Sequence, residues 1–206
     1  MRPQQVFHAY PQPEHRDLRL REQRHCIACG ARCDTQPIAG GLRYRCPACG
    51  ATQYRNPAPA VAVLIADGDR FILGRRTSSS LQHGLWCLPC GYVEYEEDHL
   101  SAAVREVREE TSLEVRIDAI ISVVTNYLQP QVHSLVTVLS AAVIGGTLQA
   151  GDGLSEARWF PYTGEFPEMA FDADRHIISR YFETDLKGAP VDPIYARPRT
   201  EGLTHG

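Results

Sequence analysis

The chain has 206 residues and a mass of 23.0 kDa, enough for one domain of ordinary size and a small appendage. Hydrophobic residues make up 43% and charged residues 22%, which excludes a collagen, a coiled coil and a wholly disordered chain, and the net charge of −4 excludes a polycationic face for duplex DNA. No apolar run is long enough for a membrane span or a secretory signal, so we expect a cytoplasmic protein with no membrane partner.

The first part of the chain has little apolar sequence. Residues 1–24 carry prolines and charges without periodicity, and we expect an irregular arm. Residues 25–55 contain two Cys-x2-Cys pairs, each followed by glycine: Cys26, Cys29, Cys46 and Cys49. Four thiolates so placed can converge on one Zn²⁺ at about 2.3 Å. Because the segment has no apolar core and all four positions are filled, we predict a structural zinc ribbon, with Cys33 outside the ligand set.

Residues 56–59, Asn-Pro-Ala-Pro, are a stiff connector, and the pattern then changes to strands that surround one strong helix and precede a terminal helix. Two apolar runs around Asp67-Gly68 predict a β-hairpin, and apolar positions at 3, 4 and 7 spacing predict an amphipathic helix over 97–111. The remaining segments predict three strands and then a helix: 117–124, 134–144, 156–160 and 172–182. These elements indicate an α+β fold over residues 58–186, followed by an irregular tail over 187–206.

The helix over 97–111 concentrates carboxylates on one face. Glu106, Glu109 and Glu110 stand at i, i+3 and i+4, and Glu97 lies just before the first turn. Carboxylates so close repel one another unless cations neutralise them, and oxygen ligands suit Mg²⁺ or Mn²⁺. Arg105 and Arg108 leave open a plainer alternative, a solvated helix face with ion pairs.

The residues leading into the helix favour the metal site. The pattern G-x5-E-x7-R-E-U-x-E-E-x-G-U, in which U is a bulky aliphatic residue, is matched at every position but one by Gly91, Glu97, Arg105, Glu106, Val107, Glu109, Glu110 and Leu113. In this pattern, and in the segments AVLI, GRR, HGLWCLPCGYVE and WF, the chain resembles the Nudix hydrolase family over residues 58–186. The resemblance implies an α/β/α sandwich with a mixed sheet. With the ribbon, the chain is similar to the subgroup that cleaves NADH, ADP-ribose or FAD.

Three positions depart from the family pattern. Ser112 replaces the glycine that closes the helix, so we expect a locally altered turn, because a left-handed conformation costs a non-glycine residue about 1 kcal/mol. Cys90 replaces the first glycine of a Pro-Gly-Gly turn, and Glu96 replaces a frequent glycine. Cys90 bears most directly on activity because it precedes Gly91. Like Cys33 and Cys87, it has no assigned role.

The resemblance also implies the roles of the site residues. Mg²⁺ or Mn²⁺ would be held by Glu106, Glu109, Glu110 and the Gly91 carbonyl, and Glu97 would reach the same ions. Glu109 is the expected general base, with Glu165 or Glu168 as alternatives. Arg105 is expected to orient a glutamate of the helix. Arg75 and Arg76 are candidate phosphate contacts, for which surface solvation is the alternative.

The expected reaction is hydrolysis of the pyrophosphate bond in a nucleoside diphosphate linked to another moiety, giving AMP and a second phosphorylated product. Residues 126–134, NYLQPQVHS, share only Gln-Pro with the SQPWPFPxS motif of NADH-cleaving members, so FAD or ADP-ribose is favoured over NADH. The alternative is a ribbon that binds nucleic acid, with the second domain acting on capped RNA or as a ligand sensor. Nucleic-acid binding is favoured by the basic character of the ribbon, which contains Arg32, Arg43, Arg45 and Arg55. We regard a nucleic-acid partner as less favoured than a small nucleotide substrate, with a homodimer as a further hypothesis.

Overall fold

The structure, a computed structural model, describes residues 6–9, 24–54, 56–77, 82–129 and 132–192; for 6–9, 127–129 and 132 it describes the backbone. Within these ranges the chain forms two compact units. One comprises residues 6–9, 59–125 and 134–192, and the other comprises residues 24–58 together with 126–133. The domain limits expected from the sequence stay predictions.

The elements of the described residues follow in chain order. The strands are β1 Val6–Ala9, β2 Asp34–Ile38, β3 Gly41–Arg45, β4 Thr52–Gln53, β5 Ala58–Asp67, β6 Arg70–Arg76, β7 Trp86–Cys87, β8 Cys90–Tyr92, β9 Leu113–Gln129, β10 Val132–Gly146, β11 Leu154–Pro161 and β12 Ala189–Pro190. The helices are α1 His99–Thr111 and α2 Asp172–Glu183. None of the described helices is both long and apolar enough to cross a bilayer.

The larger unit is built on a mixed sheet with the strand order β1-β9-β10-β5-β6-β11, and the short strands β12, β7 and β8 pair with β9, β6 and β5. Strand β5 is buried at consecutive positions from Ala60 to Ile65, which requires cover on both faces of the sheet. Neighbouring residues of β6 show which helices provide it. Ile72 belongs to the core cluster that contains Ala103 and Val107 of α1, whereas the Phe71 ring lies 5.7 Å from Phe182 of α2. Because successive side chains of a strand point to opposite faces, the helices enclose the sheet as an α/β/α sandwich.

Each strand and helix expected between residues 61 and 182 is present, and most extend beyond the predicted limits. The hairpin of β5 and β6 turns at Gly68, whose φ is +63°. Helix α1 begins at His99 rather than at 97. Asp98 has extended backbone and caps the helix by accepting hydrogen bonds from the amides of Leu100 at 3.0 Å and Ser101 at 2.8 Å.

Two short described stretches of the segments that were expected to be irregular form strands. Val6–Ala9 forms β1, which pairs in parallel with β9 from Val6 opposite Ser122. Ala189–Pro190 forms β12, which pairs with β9 in antiparallel fashion, with Ala189 opposite Ile120. Strands this short show no readable periodicity, and both depend on the unpaired edge that the long strand β9 would otherwise present.

The smaller unit contains the three-stranded antiparallel sheet β2-β3-β4. Its β2–β3 hairpin turns at Ala39 and Gly40, both with positive φ. Its buried cluster consists of Cys26, Cys33 and Cys46, with the partly buried Ala31, Tyr44 and Ala51 packed against it, and it contains no buried aliphatic side chain. So small an apolar cluster cannot offset the chain entropy lost on folding, as the composition of residues 25–55 predicts.

Ser112 keeps the backbone conformation that a glycine would have, so the expected alteration of the turn is wrong. Its φ is 58° and its ψ is 17°, in the left-handed region, and its amide donates to the Arg108 carbonyl at 2.9 Å. Docking of Leu113, which is 4% exposed, fixes the chain direction after the helix. The packing of β9 therefore imposes the left-handed conformation despite the Cβ of serine.

Replacing Ser112 by glycine should therefore raise the free energy of unfolding by about 0.5–1 kcal/mol, because the relief of strain exceeds the added entropy of the unfolded chain. The side chain is exposed, so no packing is lost. Urea denaturation measures the change. Ser101→Gly, in the first turn of the same helix, should instead lower the stability by a similar amount. Equal changes in the two variants would contradict the strain at Ser112.

Candidate active site and metal centre

The carboxylates of α1 are positioned by packing at the back of the helix and by a loop at its end. The apolar face of α1 is buried in the core through Ala103, Val104 and Val107. At the C-terminal end, the amides of Gly151 and Asp152 donate to the carbonyls of Glu110 and Glu109 at 2.9 and 3.0 Å. A Cβ on Gly151 would collide with the Glu109 carbonyl, so the loop can approach only because this residue is glycine. The helix end that carries the glutamates is therefore held rigidly.

Arg105 occupies the centre of the carboxylate cluster. Its guanidinium binds Glu97 through two hydrogen bonds, at 2.5 and 3.1 Å. The same group reaches Glu106 at 2.8 Å and Glu109 at 3.1 Å, and donates to the Tyr92 carbonyl at 2.9 Å. The hydrogen bonds from Arg105 lower the pKa of Glu97, and its carboxylate partners raise the pKa of Arg105. Arg105 thus joins the segment before the helix to the carboxylate face of the helix, as expected for an orienting residue.

Replacing Arg105 by glutamine should lower the free energy of unfolding of the metal-free protein by about 1–3 kcal/mol, because it leaves Glu97 and Glu106 unpaired at 16% and 13% side-chain exposure. Added Mg²⁺ should recover part of the loss, since a cation then replaces the lost positive charge. Chemical denaturation with and without Mg²⁺ measures both effects. Arg108→Gln, at an exposed position of α1, should change stability by less than about 0.5 kcal/mol. A loss in Arg108→Gln as large as in Arg105→Gln would contradict this account.

Gly91 and Glu106 meet where β8 passes the helix. Strand β8 pairs with β5, with Gly91 opposite Val61. A Cβ on Gly91 would collide with the Glu106 carboxylate, so glycine is required for the two to lie side by side. Burial raises the pKa of Glu106 despite its ion pair with Arg105. The carboxylate is therefore held close to the backbone of residue 91, in a setting that disfavours its charge unless a cation is present.

Glu110 is the most deeply buried carboxylate of the cluster, at 7% exposure. Its carboxylate accepts a hydrogen bond from the Cys90 amide at 2.9 Å. Burial, followed by the charge of Cys87, raises the pKa of Glu110 to about 9. A buried acid placed in this way either keeps its proton or requires a cation.

The carboxylates gather around Arg105 and do not converge on a single point. Among the described residues, the one group of three or more His, Cys, Asp or Glu side chains whose ligand atoms all lie within 4.8 Å of one another is formed by the four thiols. Glu97, Glu106 and Glu109 are joined through the guanidinium instead. Their donor chemistry still fits a hard divalent cation, since they supply carboxylate oxygens beside the carbonyl of a glycine.

The four thiols of the smaller unit have the spacing of a tetrahedral metal site. The Sγ atoms of Cys26 and Cys49 lie 3.6 Å apart, and those of Cys29 and Cys46 lie 3.5 Å apart. Sulfurs at about 2.3 Å from a common ion would stand roughly 3.8 Å from one another. These thiols could hold one metal ion, with Cys26 and Cys46 buried and Cys29 and Cys49 exposed.

The two halves of the thiol site are built alike. After the first cysteine of each pair, the chain turns so that Gly30 and Gly50 donate to the carbonyls of Cys26 and Cys46, and both glycines have φ near 75°. Hydrogen bonding from the Ala28 amide lowers the pKa of Cys26 to about 6. The backbone thus favours thiolate, the form that binds metal. Cys33 lies outside the group, as expected; its thiol accepts from Gln53 Nε2 at 3.5 Å.

Arg75 and Arg76 have different surroundings. Arg75 is exposed and donates from Nε to the Gly84 carbonyl at 2.9 Å. Arg76 is half-buried, and its guanidinium lies 5.4 Å from the centre of the Phe171 ring. Its Nη1 lies 3.7 and 3.9 Å from the Sγ atoms of Cys87 and Cys90. The alternation of β6 separates the two arginines, so the structure does not bring them together as a pair.

Asp174, which is 5% exposed on α2, is a buried carboxylate that the sequence pattern did not reveal. Its carboxylate accepts from the Leu88 amide at 3.0 Å, and burial raises its pKa to about 7. The helical periodicity of α2 places Asp174 beside buried positions, but it does not predict the hydrogen-bond partner Leu88, which is 86 residues away in the sequence.

The structure also places the alternative bases expected from the sequence. The Glu168 carbonyl lies 2.9 Å from the Trp86 amide, and the Glu165 amide donates to Thr163 Oγ1 at 3.4 Å. Most of segment 126–134 and Arg55 fall outside the residues whose side chains are described.

Comparison with known proteins relates this site to an established family. The NUDIX domain profile matches residues 56–181. The ADP-ribose pyrophosphatase of Methanocaldococcus jannaschii is 35% identical over 129 residues, 62% of this chain and 75% of that protein. The NAD-capped RNA hydrolase NudC of Pseudomonas aeruginosa is 32% identical over 163 residues, 78% of this chain and 56% of that protein. The chain thus spans three quarters of the first relative and little more than half of the second.

A solved structure shows the same fold. The crystal structure of a NUDIX hydrolase from Nitrosomonas europaea superposes with a TM-score of 0.68 at 27% identity, covering 78% of this chain and 90% of that one. The family profile covers more than half of the chain, and it includes Gly91, Glu97 and the whole of α1. The chain therefore belongs to the Nudix hydrolase family.

Proposed function

We propose that the protein is a divalent-metal-dependent hydrolase of the pyrophosphate bond in a nucleoside diphosphate linked to another moiety, with FAD or ADP-ribose favoured over NADH, and that it releases AMP and a second phosphorylated product. The observation that carries the proposal is the carboxylate cluster around Arg105, in which Glu97, Glu106 and Glu109 surround one guanidinium. Buried Glu110 adds a carboxylate that is costly to ionise without a cation.

Glu106, Glu109, Glu110 and the Gly91 carbonyl would hold Mg²⁺ or Mn²⁺, and Glu97 would reach the same ions. When bound, these ions neutralise the phosphate charges and make a water molecule more acidic. The chain's contribution is the fixed placement of the oxygens: the Cys90 amide holds Glu110, and the absence of a Cβ at residue 91 admits Glu106. Rigid placement matters because catalysis of phosphoryl transfer depends mainly on positioning and charge.

Glu109 is our choice of general base. Its side chain is 47% exposed, the largest exposure among the carboxylates bound to Arg105, so it can accept a proton from an attacking water and pass it to solvent. Arg105 restrains its rotamer through a hydrogen bond at 3.1 Å. Glu165 and Glu168 remain the alternatives from the late loop. Exposed Arg75 is the better placed of the two arginines to meet a phosphate, since Arg76 lies against Cys87 and Cys90.

Product analysis tests the proposal. With Mg²⁺, the protein should convert ADP-ribose to AMP and ribose 5-phosphate, or FAD to AMP and FMN, and NADH should react more slowly. Glu109→Gln combined with Glu110→Gln should abolish turnover, whereas Glu114→Gln, an exposed carboxylate just beyond the helix, should retain it. Unchanged turnover in the double variant would refute the assignment.

A second candidate substrate is RNA carrying a nucleotide cap. It is favoured by the relatives named NAD-capped RNA hydrolase NudC, which align over 78% of this chain in Pseudomonas aeruginosa. In the smaller unit, Arg43 lies over the exposed Tyr54 ring at 5.5 Å, an arrangement that could also contact a base. Comparison of kcat/KM for NAD-capped RNA and for free ADP-ribose, at low and physiological salt, distinguishes the two substrates. The absence of RNA binding at low salt would eliminate this candidate.

Zinc in the thiol site and a homodimer complete the proposal. The sulfur separations and the lowered pKa of Cys26 support a tetrahedral Zn²⁺. Light scattering before and after zinc removal would show whether assembly depends on this ion. A monomer under both conditions would refute the homodimer.

A further inference from the structure

Two cysteines outside the four-thiol group lie together beside the carboxylate cluster. Cys87 and Cys90 are separated by Leu-Pro in the segment Trp-Cys-Leu-Pro-Cys-Gly, and both are free thiols. One nitrogen of Arg76 lies within 3.9 Å of both sulfurs. The pair therefore consists of adjacent thiols with a cation next to them, the setting in which thiols react with disulfides.

The backbone around the pair is fixed on every side. Cys87 lies in β7 opposite Gly74, and Cys90 lies in β8 opposite Ala62. Between them, the Leu88 amide donates to Asp174 at 3.0 Å, and the Pro89 carbonyl accepts from the Val63 amide at 2.9 Å. Bond formation between two sulfurs that flank the same guanidinium nitrogen, on a backbone that is already ordered, costs little additional entropy.

The two cysteine residues differ in their exposed fraction. Cys87 is fully buried, whereas Cys90 is partly exposed in β8. A small disulfide arriving from solvent therefore meets Cys90 first, and Cys87 lies behind it as the thiol that completes the reaction. An accessible thiol backed by a buried one is the usual arrangement of an attacking and a resolving cysteine.

We propose that Cys87 and Cys90 form a redox-active dithiol that exchanges with low-molecular-weight disulfides to give an intramolecular disulfide. The Cys90 sulfur attacks one sulfur of the external disulfide, forming a mixed disulfide and releasing one thiol, which carries away the Cys90 proton. The Cys87 sulfur then attacks Cys90 and releases the second thiol with the Cys87 proton. The protein loses two electrons and two protons, and the external disulfide is reduced to two thiols.

Oxidation also affects the carboxylate cluster, and this part rests on the proposed function. The Cys90 amide is the donor that holds Glu110 at 2.9 Å, and Gly91 follows directly. The new bond pulls Cys90 towards Cys87 and takes both thiols from Arg76. We expect the oxidised protein to bind Mn²⁺ about 10-fold more weakly, since losing a partner that orients a metal ligand typically costs about 10- to 100-fold in metal affinity.

Equilibration of the zinc-loaded protein in buffers of reduced and oxidised glutathione tests the dithiol. After acid quenching and alkylation, trypsin cleaves after Arg76 and Arg105, so both cysteines fall on one peptide that is free of the ribbon cysteines. At reducing ratios of glutathione we expect this peptide to carry an alkyl group on both cysteines. At oxidising ratios we expect an unalkylated form that is lighter than the free dithiol by two hydrogen atoms, and the change should have a single midpoint in the glutathione ratio. Independent glutathione adducts on the two cysteines, or retention of both free thiols at every ratio, would overturn the proposal.

Two variants and a metal titration complete the test. Cys90→Gly should abolish the disulfide, and Cys87→Ala should leave Cys90 as a stable glutathione adduct; either variant that is folded by circular dichroism is sufficient. Cys33→Ser, a buried cysteine of the other unit, should leave the transition unchanged. Calorimetric titration with Mn²⁺ measures the effect on the cluster without an activity assay. Equal Mn²⁺ affinity in both redox states refutes the link to Glu110, whereas absence of hydrolysis with an intact thiol transition refutes the proposed function alone.

Discussion

Replacing Glu110 by glutamine is expected to lower kcat for pyrophosphate hydrolysis by about 100- to 1,000-fold, corresponding to about 3–4 kcal/mol of lost transition-state stabilisation. Glutamine has the shape of the protonated acid and can still accept the hydrogen bond from the Cys90 amide, which is 2.9 Å long in the parent protein. It carries no negative charge, so it would hold a divalent cation far more weakly. The substitution therefore removes the charge of the residue and leaves its packing in place.

The same substitution should change the pH dependence of stability in the metal-free protein. Burial raises the pKa of Glu110 from 4.5 to about 9, so between these values the folded state keeps a proton that the unfolded state releases. This contribution to the free energy of unfolding is complete below about pH 4.5 and is lost as the pH rises towards 9, at no more than about 1.4 kcal/mol per pH unit. Glu110→Gln cannot titrate, so it should flatten the decline.

Thermal unfolding between pH 5 and 9, with and without Mg²⁺, and steady-state kinetics measure these effects. Metal binding should displace the Glu110 proton, so Mg²⁺ should stabilise the parent protein more strongly as the pH rises. Glu114→Gln, exposed at the start of β9, is the matched control and should keep both the activity and the pH slope of the parent. A variant with parental kcat, or with a steeper loss of stability above pH 5, would contradict the role of Glu110.

Replacing Cys46 by alanine is expected to abolish binding of the zinc ion proposed for the thiol site and to unfold the smaller unit. Cys46 is fully buried, and its thiol lies 3.5 Å from that of Cys29. Binding of a structural Zn²⁺ contributes on the order of 10 kcal/mol to the folding of such segments. The apolar cluster of this unit consists of Cys26, Cys33 and Cys46 with Ala31, Tyr44 and Ala51 packed against it, so little else can replace that contribution.

Zinc content by atomic absorption and amide hydrogen exchange over residues 24–54 measure the outcome. We expect the zinc content to fall from one equivalent to none, and protection of β2 and β3 to fall by several orders of magnitude; a strong chelator should have the same effect on the parent protein. Cys33→Ser should keep its zinc, because this thiol lies outside the four-thiol group. Protected strands in zinc-free Cys46→Ala would show that the unit folds without metal.

The elements that the sequence predicted well are those whose signal is local. Helix α1 was predicted because Ala103, Val104 and Val107 recur with helical spacing and are all buried in the core. The convergence of the four thiols follows from two Cys-x2-Cys-Gly turns that fold alike. The signature beginning at Gly91 identified the family, and at its first position the structure shows a physical requirement, since a Cβ at residue 91 would collide with Glu106.

The errors and omissions concern partners that are distant in sequence. Strands β1 and β12 are too short to be predicted from periodicity, and each depends on pairing with the edge of β9. Ser112 takes the left-handed conformation because the docking of β9 overrides its own preference. Asp174 holds the amide of Leu88 across 86 residues, and no periodicity reports such a contact.

The four thiols and the carboxylate-bearing helix could be recognised as candidate chemical centres without a structure, because ligand type and spacing are properties of short segments. The arrangement of those groups depends on the tertiary structure. It placed Arg105 among three carboxylates, buried Glu110 next to the Cys90 amide, and brought Cys87 and Cys90 to the same nitrogen of Arg76. These arrangements depend on strand pairing and core packing between segments that are far apart in the chain, which local patterns do not encode.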